Sequence, residues 1–243
     1  MASINNNEIL ISIDYCKENK VFDELESIYR SLPSGKCNGC GNCCMESVGI
    51  NLVEFINIYN YLKENEELRK KSLAKILDYY FTEYTQKKSC PFKDEDNRCL
   101  VYEVRPLNCR LFGHWLKEDY NKNLNNIKDR NREYKKIIKD EYDLDICDEV
   151  VNYRIEYCEE FKPEKKYLTK EERLEFSDSI MILDSKILSK GIIDIDFKDR
   201  GIVEYFIESL LEENISYNIK IKISKDEKIR NTAIKRLNKL LIK

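Results

Sequence analysis

The chain has 243 residues, enough for one large domain or two small ones with a sizeable core. Apolar residues make up 42% and charged residues 36%, which excludes a disordered chain. The net charge of −3 comes from 42 basic and 45 acidic residues mixed along the chain, so charge gives no reason to expect nucleic acid or an anionic membrane as partner.

The first twenty residues, MASINNNEILISIDYCKENK, lack a basic leader region and hold only a short apolar run. No apolar run elsewhere approaches the ~20 residues of a membrane span. The reading is therefore a cytoplasmic protein whose thiols stay reduced.

Helical periodicity starts at residues 21–32, where Phe22, Leu25, Ile28, Tyr29 and Leu32 share a face, and Pro33-Ser34-Gly35 ends the helix. Next comes Cys37-Asn38-Gly39-Cys40-Gly41-Asn42-Cys43-Cys44, four thiols in eight residues. Leu52, Phe55, Ile56, Tyr59 and Leu62 make a second stripe. Leu73, Ile76, Leu77, Tyr80, Phe81 and Tyr84 make a third, and both read as core rather than ligand sites.

Cys90 and Cys99 bracket PFKDEDNR, a turn-rich stretch that predicts a short hairpin with a cysteine at each end. Pro106 stops the segment that follows, and 117–145 is charged, with Tyr134, Ile137 and Ile138 as sparse anchors of a solvated helix.

Beyond Pro163 the cysteines cease. Thr169-Lys170-Glu171-Glu172 predicts a capping box opening a helix to about Lys190. Ile193–Phe197 and Tyr217–Ile223 alternate as strands do, with a helical spacing over Ile202–Leu211 between them. A last helix is expected from Ser224-Lys225-Asp226-Glu227 onward. The expected fold is α+β and mostly helical: a cysteine-cluster metal-binding domain over 1–164 with irregular loops and a hairpin, and a small α/β segment over 165–243 packed on it.

Seven clustered thiols, Cys37, Cys40, Cys43, Cys44, Cys90, Cys99 and Cys109, serve no packing need but suit a metal or an iron–sulfur cluster. A disulfide framework fits poorly, because neighbouring Cys43 and Cys44 cannot bridge each other without strain and no secretory leader is visible. Gly39 and Gly41 let the backbone take positive φ, so that thiolates converge. Cys-only ligation and the Cys90-Pro91 step favour a four-iron cluster, and the same thiolates would satisfy zinc. Seven thiols exceed what one centre needs. Either a second metal is present, completed by Cys158 or Cys147, or the spare thiols are supporting or reactive groups. Cys16, near a flexible N-terminus, reads as an ordinary cysteine.

With SCPFKDEDNRCLVYEVRPLNCRLF at 89–112, the CxxCxxCC run resembles the YkgJ-like cysteine-cluster family, a zinc- or iron-chelating domain to which flagellin lysine N-methylases look related. The resemblance spans roughly 36–115. It implies Cys37, Cys40, Cys43, Cys44, Cys90, Cys99 and Cys109 as chelators, with Arg105 and Arg110 as further motif residues. Gly113-His114-Trp115 stands where family members often continue with proline. Each arginine either pairs with Glu103 or caps backbone carbonyls near the hairpin, or else, beside a thiolate centre, offsets negative charge or binds a carboxylate substrate. His114, the sole histidine, reads as a packed residue before a catalytic one.

Two function classes follow. One is an enzyme modifying a protein or peptide, with lysine N-methylation the example the resemblance implies and S-adenosylmethionine its cofactor. No glycine-rich cofactor loop supports that cofactor. The other is a non-catalytic module for sensing, storing or delivering zinc or mononuclear iron, or for partner binding. The absence of a Ser-His-Asp set, P-loop or HExxH speaks against ordinary hydrolases and nucleotide kinases. A protein or peptide partner is expected.

Overall fold

The computed structural model describes residues 4–196 and 198–242. Helix α1 (Asn6–Glu18) opens on a capping box in which Asn5 and Glu8 each satisfy the other's backbone N–H. Ile9, Ile13 and Cys16 on its inner face are buried. This corrects the expectation of a flexible N-terminus: Cys16 is a core residue, and burial pushes its thiol up to about 12.

Helices α2 (Val21–Ser31), α3 (Leu52–Lys63) and α4 (Glu66–Thr82) form where the three aromatic and aliphatic stripes predict them. Short α5 (Leu107–Leu111) and long, solvated α6 (Lys117–Tyr142) follow, then α7 (Asp148–Asn152). Within α6, Ile138 is buried, whereas Tyr134 and Ile137 stay exposed. Helix α8 (Lys170–Leu188) begins at the expected Thr169/Glu172 capping box. Helices α9 (Ile202–Glu208), α10 (Glu213–Ser224) and α11 (Glu227–Leu241) complete the chain, the last capped by Asp226.

The C-terminal segment is thus helical, which corrects the expected α/β tail. Tyr217–Ile223 alternates in sequence but lies inside α10, where Ser216, Lys220, Ile223 and Ser224 share the buried face at spacings of four, three and one. Alternation misleads here because Lys220, which a strand would turn to solvent, is buried. Its ammonium pairs with Glu83 and sits 4.1 and 4.3 Å from the ring centres of Tyr80 and Tyr84. The other expected strand also fails. Ile193–Asp196 is irregular, with Ile193 buried, and Asp196 is spent on Arg200 through its carbonyl and carboxylate; Phe197 lies outside the described residues.

Among the described residues the β structure is one antiparallel pair, β1 (Gly35–Lys36) with β2 (Lys162–Pro163), one strand on each side of the clustered cysteines. The expected turn between Cys90 and Cys99 forms as a tight loop. Lys93 bridges Cys99, and Asp94 N–H donates to the Arg98 carbonyl at 2.9 Å.

The main core runs from Ile4 to Ile234 without a break between 1–164 and the C-terminal helices. Phe55 of α3 stacks on Tyr205 of α9 with ring centres 4.9 Å apart and meets Phe206 edge-on at 5.2 Å. Helix α9 crosses α4, while α8 packs on α2 and α3. A smaller cluster around Tyr84, Ile138, Leu144 and Ile146 holds α6 and α7.

Candidate metal centre

The cysteine loop leaves α2 through Pro33 and turns twice with positive φ, at Gly39 (64°) and Gly41 (72°). Cys44 N–H then donates to the Gly41 carbonyl at 3.0 Å, and Cys90 N–H donates to the Cys44 carbonyl, also at 3.0 Å. That second bond brings two segments far apart in sequence side by side. The loop leaves through residues 48–50, where Ile202 N–H reaches the Val48 carbonyl and Ile50 N–H the Arg200 carbonyl. The tail therefore braces the exit of the cysteine loop.

Cys109 rides on α5. The helix start is pinned by Glu54, which accepts the Leu107 N–H at 2.6 Å and the Tyr29 hydroxyl at 2.7 Å on one oxygen, and the Asn51 N–H on the other at 3.0 Å. Burial raises the Glu54 carboxyl, while these donors and Arg110 pull it down. Sequence reasoning missed this residue, although Asn51-x-x-Glu54 is a capping-box signal inside an apolar stripe.

The thiols fall into two groups. Cys43, Cys90, Cys99 and Cys109 are all within electrostatic reach of one another. Burial raises the Cys90 thiol to about 11, raises Cys99, and holds Cys109 well above the usual thiol range. The charges of neighbouring thiols add to the rise, Cys43 for Cys99, Cys43 and Cys99 for Cys90, and all three for Cys109. Cys43 is raised first by its hydrogen bond to Cys44, then by burial. Arg105 is the countercharge, lowering both Cys43 and Cys99.

The second group joins Cys37 and Cys40 to Cys158. The β1–β2 pair carries their loops together, and the Asn38 amide donates to the Glu160 carboxylate at 3.0 Å. Burial raises the Cys158 thiol, and the charges of Cys40 and Cys37 push the same way. Cys147 instead starts α7, its N–H bonded to the Tyr84 carbonyl.

Arg110 caps carbonyls, donating to Arg105 and Glu103 at 2.8 Å each, with its guanidinium 4.0 Å from the Tyr29 ring centre. Arg105 lies 4.2 Å from the Tyr102 ring centre, and its buried Nε has no hydrogen-bond partner among the described residues. His114 is buried edge-on against Phe161, its ring centre 4.6 Å away, and desolvation lowers its pKa.

The donor chemistry fits zinc or iron: four half-buried thiols in mutual reach cannot all ionise without a cation to balance them. As the side chains stand, no three Cys, His, Asp or Glu among the described residues converge closely enough to hold an ion. The fit is therefore one of donor type and placement.

A helical scaffold that carries its clustered thiols on loops and on the short helix α5 defines a cysteine-cluster protein. Residues 36–143, a little under half of the chain, are similar to the family model described as "CxxCxxCC: Putative zinc- or iron-chelating domain". Cys158 lies beyond the match. No solved structure matches the chain.

Proposed function

We propose that the protein holds a metal centre on Cys43, Cys90, Cys99 and Cys109, with Cys44 adjoining it and Cys37, Cys40 and Cys158 as an outer thiol set. The observation that supports this is the Cys90 N–H bonded to the Cys44 carbonyl at 3.0 Å, which sets the CxxCxxCC turn against the Cys90–Cys99 loop, with the Cys90, Cys99 and Cys109 thiols all raised by burial. A four-iron, four-sulfide cluster is the favoured occupant; zinc or mononuclear iron is the alternative. When bound, the centre supplies positive charge that stabilises the thiolates. Arg105 offsets what negative charge remains. Arg110 holds the Arg105 carbonyl and so positions that segment.

The use we assign to the centre is support of protein or peptide modification, as the resemblance to a family to which lysine N-methylases look related suggests. S-adenosylmethionine would then have to bind away from any glycine-rich loop. The second reading is a non-catalytic role, because four thiolates around one ion would fill a tetrahedral shell, as in structural zinc sites.

Anaerobic purification followed by metal and acid-labile sulfide analysis tests the reading. Iron and sulfide in near-equal amounts support the cluster, and one zinc without sulfide supports the alternative. Protein devoid of both metals after expression with either supplied overturns the metal centre itself.

A further inference from the structure

Helices α10 and α11 line an open groove of about 580 Å³ that contains no cysteine. Its floor is Ile219, Ile229, Ala233 and Leu237, and Lys228 and Arg236 flank it. Large apolar side chains are exposed on the same two helices, with Ile229 55% and Leu240 65% exposed on α11 and Ile215 48% exposed on α10. Ile229, Ala233, Arg236 and Leu240 recur at spacings of four, three and four, so they form one stripe along α11.

The charge of this helix sets it apart. Although the whole chain is acidic overall, α11 has five Lys or Arg against one acidic residue. Elsewhere basic and acidic residues alternate along the helices, and some exposed cations are paired, as in Arg30–Glu26, Lys70–Glu66 and Lys139–Asp143. Among the described residues Lys228, Lys235, Arg236 and Lys239 are exposed and none forms an ion pair. Lys235 and Lys239 are four residues apart and Arg236 and Lys239 three, spacings at which like charges destabilise a helix. Unrelieved repulsion beside an open apolar recess is a surface lacking its complement.

We propose that this groove docks an acidic amphipathic helix of a partner protein. Apolar side chains of such a helix, at spacings of three and four, fill the recess between α10 and α11, and its Glu and Asp residues meet Lys228, Lys235, Arg236 and Lys239. A recess suits protruding side chains, whereas insertion into a lipid surface calls for a convex apolar ridge.

The test uses the full-length protein and a fluorescein-labelled peptide with Leu at i, i+3, i+4 and i+7 and Glu at intervening positions, followed by anisotropy. A scrambled peptide of the same composition is the control. The expected result is saturable binding of the patterned peptide alone, weakened by salt. Binding should fall at least tenfold in Lys228→Glu/Arg236→Glu and in Ile229→Asp, and be unchanged in Lys165→Glu on another exposed surface. Melting curves show whether each variant is folded. No preference for the patterned peptide, or equal binding by the charge-reversed variant, overturns the proposal. So does sedimentation with phosphatidylserine vesicles without peptide binding, or a self-association that the same substitutions abolish.

Discussion

Glu54 Oε1 accepts the backbone N–H of Leu107 at 2.6 Å, so a fully buried carboxylate on α3 fixes the first residue of the helix that presents Cys109. The Tyr29 hydroxyl donates to the same oxygen, which ties α2 into the arrangement. A group with three donors aimed at it tolerates no donor of its own. In Glu54→Gln the amide NH₂ must face a backbone N–H, and we expect a loss of about 1–3 kcal/mol. Thermal unfolding should show a midpoint several degrees lower, and an unchanged midpoint would contradict the role given to Glu54.

Asp184 of α8 caps α3 across the fold, accepting the N–H groups of Leu52 at 3.0 Å and Val53 at 2.8 Å. Burial outweighs those bonds and raises its carboxyl from 3.8 to about 6. The folded state therefore binds a proton that the unfolded state has released between those values, so stability falls as pH rises from about 4 to about 6. Below that window both states are protonated, and above it the penalty is complete. Asp184→Ala should lower stability by about 1–2 kcal/mol through loss of the cap, and should flatten this part of the pH profile. Denaturant titrations at several pH values check both effects. A variant with the same slope as the parent would refute the assignment.

Lys220 is buried against Tyr80, Tyr84 and Glu83. Lys220→Ala removes the stem and leaves Glu83 without its cation, which should cost roughly 3–5 kcal/mol. Lys220→Met restores volume and should recover a good part of that loss. If the two variants melt together, packing of the stem is not what holds α10 in place.

Gly39 and Gly41 share a left-handed backbone but differ in surroundings. A Cβ on Gly39 meets nothing within 4 Å, whereas one on Gly41 approaches the Asn97 Cβ to 3.0 Å. Gly39→Ala should lower stability by about 1 kcal/mol from backbone strain alone, and Gly41→Ala by more. Equal losses would show that the loop shifts freely past Asn97.

The two thiol groups should separate in metal analysis. Cys99→Ser removes a member of the inner set and should abolish stoichiometric metal, whereas Cys158→Ser should leave the inner-set metal bound. Loss of all metal in Cys158→Ser would mean that the outer and inner thiols serve one centre.

The sequence by itself determined the elements whose information is local. The stripes of α2, α3 and α4, the Thr169/Glu172 cap and the thiol-dense turn with its two glycines follow from periodicity and backbone chemistry that act within a few residues. Only the tertiary structure decided that the segment of Cys158 lies beside that of Cys37 and Cys40, because that depends on β1 pairing with β2 across more than a hundred residues. It also decided that Tyr217–Ile223 is helical. A period of two reads as a strand when lysines are assigned to solvent, and Lys220 reverses that assignment because distant Glu83, Tyr80 and Tyr84 make its burial tolerable.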